Sequence, residues 1–159
     1  MPSVQVSIDI AAPIETVWEL AMDPQRTLDW VTVVREVSDV DEGPLRRGFR
    51  MKQQMTLRNV PFSVQWELVD LDVPRYARWH GKGPARSTAV IVDRLTAVQG
   101  GSRFNYFNDF KAPFGVLGSV ASRTMVGGIP EAEARESLHR LKALAEAAAG
   151  IVADAPVER

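Results

Sequence analysis

Residues 130–149 read PEAEARESLHRLKALAEAAA, and the rest of the chain is organised around them. Ala134, Leu138, Leu141, Ala145 and Ala148 recur at alternating steps of four and three, which places them on one stripe of an α-helix. Glu131 with Arg135 and Glu136 with Arg140 are i, i+4 pairs with the acid first, and the leading glutamates suit the positive end of the helix dipole. About twenty residues at 1.5 Å rise give a helix roughly 30 Å long with one dry face. Such a face needs a broad apolar partner. Nearly everything upstream reads as strand, so the expected partner is a sheet.

Val4, Val6, Ile8 and Ile10 alternate with Gln5, Ser7 and Asp9, the period of a strand with one buried face. Ala12-Pro13 stops that strand, and Ile14, Val17, Trp18 and Ala21 follow at helical spacing. Asp23-Pro24 is a cap followed by proline at the first helical position, opening a second short helix that reaches Trp30. Residues 31–41 predict a weaker strand. Residues 49–57 and 62–68 alternate cleanly and predict an antiparallel hairpin across Asn59-Val60-Pro61. Strands over 75–81, 87–98 and 102–110 complete a meander of six or seven antiparallel strands. Gly127-Gly128-Ile129-Pro130 interrupts the helical region, so residues 114–126 and 130–149 predict two helical pieces or one kinked helix. The expected organisation is a single domain over residues 1–150 with a frayed tail at 151–159.

Composition narrows the function classes. The chain has 159 residues, 45% hydrophobic and 25% charged, with a net charge of −1, which favours neither nucleic acid nor an anionic membrane as principal partner. Residues 1–42 carry nine acids and two bases, residues 43–94 ten bases and four acids, so the middle strands are expected to present a basic surface. The absence of cysteine removes disulfides, thiolate zinc sites and a Cys nucleophile, and fits a reducing cytoplasm. No basic region followed by an apolar run opens the sequence, and no apolar run approaches eighteen residues. These features predict a soluble cytoplasmic protein without stable membrane insertion.

The order of strand, two short helices, meander and long helix resembles the START-like superfamily, also called the Bet v 1-like, SRPBCC, or polyketide cyclase/dehydrase and lipid transport family. The resemblance covers residues 3–149. It is carried by VSIDIAAPIETVWELAMDPQRTLDWV at the start, with Ala12-Pro13, Val17, Trp18, Asp23-Pro24 and Trp30, and by ESLHRLKALAE at the end, with Leu141-Lys142. It implies an α+β helix-grip fold, a curved seven-stranded antiparallel sheet around the long helix with a cavity between them. Because members of one fold differ in function, it implies no particular reaction. The break at residues 127–130 departs from an uninterrupted helix.

Strand parity says which side chains face that cavity. On the hairpin it points Met51, Gln53, Met55, Val64 and Trp66 inward with Phe49, and on the last strand Phe104, Tyr106, Asn108 and Phe110 share one face. Trp30, Trp79, Phe114, Leu117, Ala121 and Met125 complete the expected ligand wall. Bulk from aromatic and Met residues with Gln53, Tyr106 and Asn108 as polar points suits a small hydrophobic molecule, such as a lipid, polyketide or aromatic compound. The same residues could also fill an ordinary core. Trp79 inward is favoured, which sends His80 and Arg78 outward, because burying an unpaired Arg78 is costly. Two histidines without HxH or HExxH spacing give no metal site, and no phosphate loop or nucleophile elbow is present. Binding without a cofactor is therefore the first expectation. The alternatives are a polyketide cyclase or dehydratase using Tyr106, and His80 if flipped inward, to polarise a carbonyl, and a module that binds a protein through the basic strands.

Overall fold

The computed structural model describes residues 3–111 and 129–150. Seven strands form one antiparallel sheet: β1 (Val4–Ile10), β2 (Val34–Ser38), β3 (Arg50–Leu57), β4 (Val60–Asp72), β5 (Tyr76–Lys82), β6 (Thr88–Val98) and β7 (Gly101–Lys111). Their order across the sheet is β1-β7-β6-β5-β4-β3-β2, a meander whose first strand folds back beside its last. Between β1 and β2 lie helices α1 (Ile14–Ala21) and α2 (Thr27–Trp30), the second entered through a 3-10 turn at Pro24–Arg26. The Asp23 carboxylate accepts from the Gln25 amide at 2.9 Å, the cap expected of Asp-Pro at a helix start. The long helix, α3 (Glu131–Ala148), packs on β1, α1 and α2.

Period two is obeyed on the strands that decide the interior. On β7 Phe104, Tyr106, Asn108 and Phe110 are buried while Arg103 and Lys111 are exposed. On α3 Ala134, Leu138, Leu141 and Ala145 are buried, and Ser137 joins them. Ala148, expected on the same stripe, is exposed. Burying each of the two leucines contributes about 1.5–3 kcal/mol. Outside, Glu131 accepts from Arg135 at 2.8 Å and Glu136 from Arg140 at 3.3 Å, as the spacing predicts. Exposed pairs of this kind add about 0.3–0.5 kcal/mol each.

Two local expectations need correcting. The β3–β4 link is not Asn59-Val60-Pro61: Leu57 pairs with Val60 and Thr56 with Pro61, so the turn is Arg58-Asn59 alone. Both have positive φ, 51° and 65°, the conformation of the two-residue turn whose twist matches the flanking strands. Pro130 does not lie inside a helix but is the N-cap residue of α3, with ψ of 149°. A proline there removes no helical hydrogen bond. The expected helical piece over residues 114–126, the Gly127-Gly128 pair that interrupts the helical region and the tail at 151–159 lie outside the described residues.

The start of α3 and the ends of the early elements are tied together by polar contacts. Asn108, fully buried, accepts from the Ile129 amide at 3.0 Å and donates to its carbonyl at 3.4 Å. The Thr32 amide donates to Ser137 at 3.0 Å, and its hydroxyl to Glu133 at 2.6 Å. At the far end of α3 the Glu146 carboxylate accepts from the Ala11 amide at 2.9 Å and from Lys142 at 2.5 Å. The Ala11 amide first, and then Lys142, hold that carboxyl below its ordinary range.

Candidate functional site: an apolar cavity with one buried carboxyl

Between the inner face of the sheet and the α2 and α3 helices lies a cavity of about 90 Å³. At roughly 10–15 Å³ per water, it has room for several waters or a small organic group. The strands contribute Met51, Gln53 and Met55 from β3, Trp66 from β4, Trp79 from β5 and Tyr106 from β7. Facing them are Trp30 on α2 and Leu138 on α3. The rim is built from the turn between α1 and α2, with Met22, Asp23 and Pro24.

The wall is shaped by what flanks it. At Gly81 a Cβ would stand 2.7 Å from Val64 Cγ1 and 2.8 Å from the Trp66 ring, so only glycine lets that indole lie down over β5. Trp66 meets Phe110 edge-to-face with ring centres 6.3 Å apart, and Trp79 meets Phe49 in the same way at 6.4 Å. The Trp66 indole N–H donates to Gln53 Oε1 at 3.0 Å, both groups buried. The Gln53 carbonyl is therefore already occupied. Replacing it in Gln53→Leu leaves the indole N–H without an acceptor and is expected to lower stability by about 1–3 kcal/mol. Urea unfolding measures this, and a loss under about 0.5 kcal/mol would mean that Trp66 finds another partner.

The group that strand reading missed is Asp93. On β6 the buried positions are Ala89, Asp93 and Leu95, with Ile91 half-buried between them, while Arg94 is exposed over the Tyr76 ring, 4.6 Å from its centre. Asp93 sits between Ala77 on β5 and Tyr106 on β7, is 7% exposed, and lines the cavity. Its Oδ1 has no hydrogen-bond partner among the described residues. Burial pushes its carboxyl up to about 7. The neighbouring Tyr106 phenol is pushed up as well, by burial first and by Asp93 second, against the pull of a hydrogen bond with Asn108. It stays protonated at neutral pH. The cavity wall thus carries a carboxyl beside the polar points Gln53 and Tyr106 that parity places inside.

Of the residues that the sequence assigns to a ligand wall, Trp30, Met51, Gln53, Met55, Trp66, Trp79 and Tyr106 line the cavity together. Val64, Asn108 and Phe110 are buried but are not among the described lining residues, and Asn108 holds the Ile129 backbone instead. Phe114, Leu117, Ala121 and Met125 lie outside the described residues. His80 is exposed on the outer face, where Arg78 donates to it at 3.4 Å, and Trp79 points inward. That outer face carries a second, open concavity of about 680 Å³ in which Arg50, Lys52 and Lys82 are interspersed with Glu67, Asp39 and Asp41. The expected basic surface is thus mixed in sign, and Arg50 stands 3.8 Å from Glu67. No helix among the described residues is long and apolar enough to cross a membrane.

A curled antiparallel sheet gripping a C-terminal helix over an apolar cavity defines an α+β helix-grip protein. The family model described as polyketide cyclase / dehydrase and lipid transport matches residues 1–146, and the chain belongs to that family. No curated protein matches it. Among solved structures it is similar to protein DR_A0006 of Deinococcus radiodurans, with TM-score 0.68 and 16% identity over 93% of this chain and 99% of that one. Protein Ms6760 of Mycobacterium smegmatis gives 0.63 and 19% over 90% of each chain, and Ara h 8.0201 gives 0.64 and 10% over 91% and 97%. At these identities the likeness is one of fold.

Proposed function

We propose that the chain binds a small, mostly apolar molecule in the cavity between the sheet and α3. The observation that carries this reading is the wall itself: Met51, Met55, Trp66, Trp79 and Leu138 surround a space with few polar points, the ordinary composition of a small-molecule site. The family's description, which includes lipid transport, supports it. Native mass spectrometry of the freshly purified protein, followed by titration with a broad panel of hydrophobic compounds, tests it. A co-purified small molecule, or quenching of tryptophan emission by panel members, is the expected result. Failure of every compound to bind would overturn the reading.

A second reading, a cyclase or dehydratase acting on the bound molecule, is favoured by one observation, the Asp93 carboxyl beside the protonated Tyr106 on the cavity wall. A carboxyl titrating near neutrality can take or give a proton, and a phenol that keeps its proton can donate to a carbonyl. His80, on the outer face, has no part in it. Turnover of a bound keto compound that is lost in Asp93→Asn would carry this reading.

A further inference from the structure

The cavity's electrostatics are one-sided. Lysine, arginine and histidine are missing from its described lining, whereas Asp93 stands in the wall and Asp23 at the rim. An anionic ligand such as a fatty acid would meet like charge in a site of low dielectric, with no cation among the described lining residues to offset its desolvation. Asp93 Oδ1 has no donor among the described residues, and Tyr106, its cross-strand neighbour, is a titratable group beside it. Around the same space stand the faces or edges of Trp30, Trp66, Trp79 and Tyr106. A buried carboxylate with aromatic rings around it is the chemistry that recognises an organic ammonium, by ion pairing at one side and by the ring quadrupoles at the others.

We propose that the cavity selects hydrophobic amines, with the ammonium group against Asp93 and the apolar body among Trp30, Trp66 and Trp79. This rests on the cavity being a binding site. A cation supplies a charge partner that Asp93 lacks among the described residues, and its binding requires the ionised carboxylate. Since the carboxyl of the free protein titrates at about 7, amine affinity rises with pH up to neutrality and levels off above it.

The test uses the full chain and three probes of one shape, phenethylamine, phenethyl alcohol and phenylacetate, titrated by calorimetry at about pH 8. The amine is expected to bind about tenfold or more tighter than the alcohol, in keeping with a close buried charge pair, and phenylacetate is expected not to bind. In Asp93→Asn the amine should lose that advantage while the alcohol binds as before. In the unaltered protein amine affinity should fall by up to about tenfold per pH unit below about pH 7, with the alcohol unaffected. Equal binding of amine and alcohol, tight binding of phenylacetate, or an amine preference that survives in Asp93→Asn overturns the proposal. If none of the three probes binds but neutral panel compounds do, amine selection falls and the binding site stands; if nothing binds at all, both fall.

Discussion

Asp93→Asn is expected to stabilise the protein at pH 8 by on the order of 4 kcal/mol and to leave it nearly unchanged at pH 4. The carboxyl is raised from 3.8 to about 7 by burial, so the folded state holds a proton that the unfolded state gives up. The sign follows: stability is greatest below the unfolded value, falls as pH rises from about 4 to about 7, and is flat above that. At 1.36 kcal/mol per unit the total is on the order of 4 kcal/mol. Asparagine removes that dependence, and at pH 4 its amide stands in the same position as the protonated carboxyl, so the two proteins are nearly alike there. Urea midpoints at the two pH values decide the matter, and equal shifts at both would mean that the carboxyl titrates normally.

The other large effect is expected at Phe104. It is fully buried in the middle of β7, between Ile8 on β1 and Leu95 on β6, and its ring meets Trp30 edge-to-face with centres 6.4 Å apart. Phe104→Ala removes the ring from a site whose walls are sheet on both sides and cannot close in. A loss of about 3–5 kcal/mol is expected. At about 2–4 °C per kcal/mol for a chain of this size, the melting point should fall by roughly 6–20 °C. Phe104→Leu should recover more than half. If the alanine variant lost under about 1 kcal/mol, Phe104 would not be the support of Trp30 that the geometry makes it.

How far the sequence reaches is clearest on neighbouring strands. The hairpin and β7 alternate apolar and polar residues, so period two alone puts Gln53 and Tyr106 inside. On β5 the cost of burying Arg78 settles Trp79 inward and His80 outward. In TAVIVDRLTAV, by contrast, both parities contain apolar residues, and the rule that charges stay outside argues against Asp93 as much as against Arg94. The available signal is the comparison between them: Ala89, Ile91 and Leu95 share the parity of Asp93, while Thr88 and Thr96 share that of Arg94. Asn108 failed differently. Its inward parity is legible, but that the Ile129 backbone occupies its amide is a contact across about twenty residues that no local pattern carries.

The return of β1 to the side of β7 also governs how the chain is made. Val4 pairs with Asn108, and the Ala11 amide waits for Glu146. At about 5–20 residues per second, the ribosome delivers β7 only some 5–20 s after β1. Until then the hairpins between can form from local contacts, but β1 has no neighbour, and Val6 and Ile10 remain open to whatever the nascent chain meets. The interval before β7 emerges is when a chaperone has most to hold, and the pairing of β1 with β7 ends it.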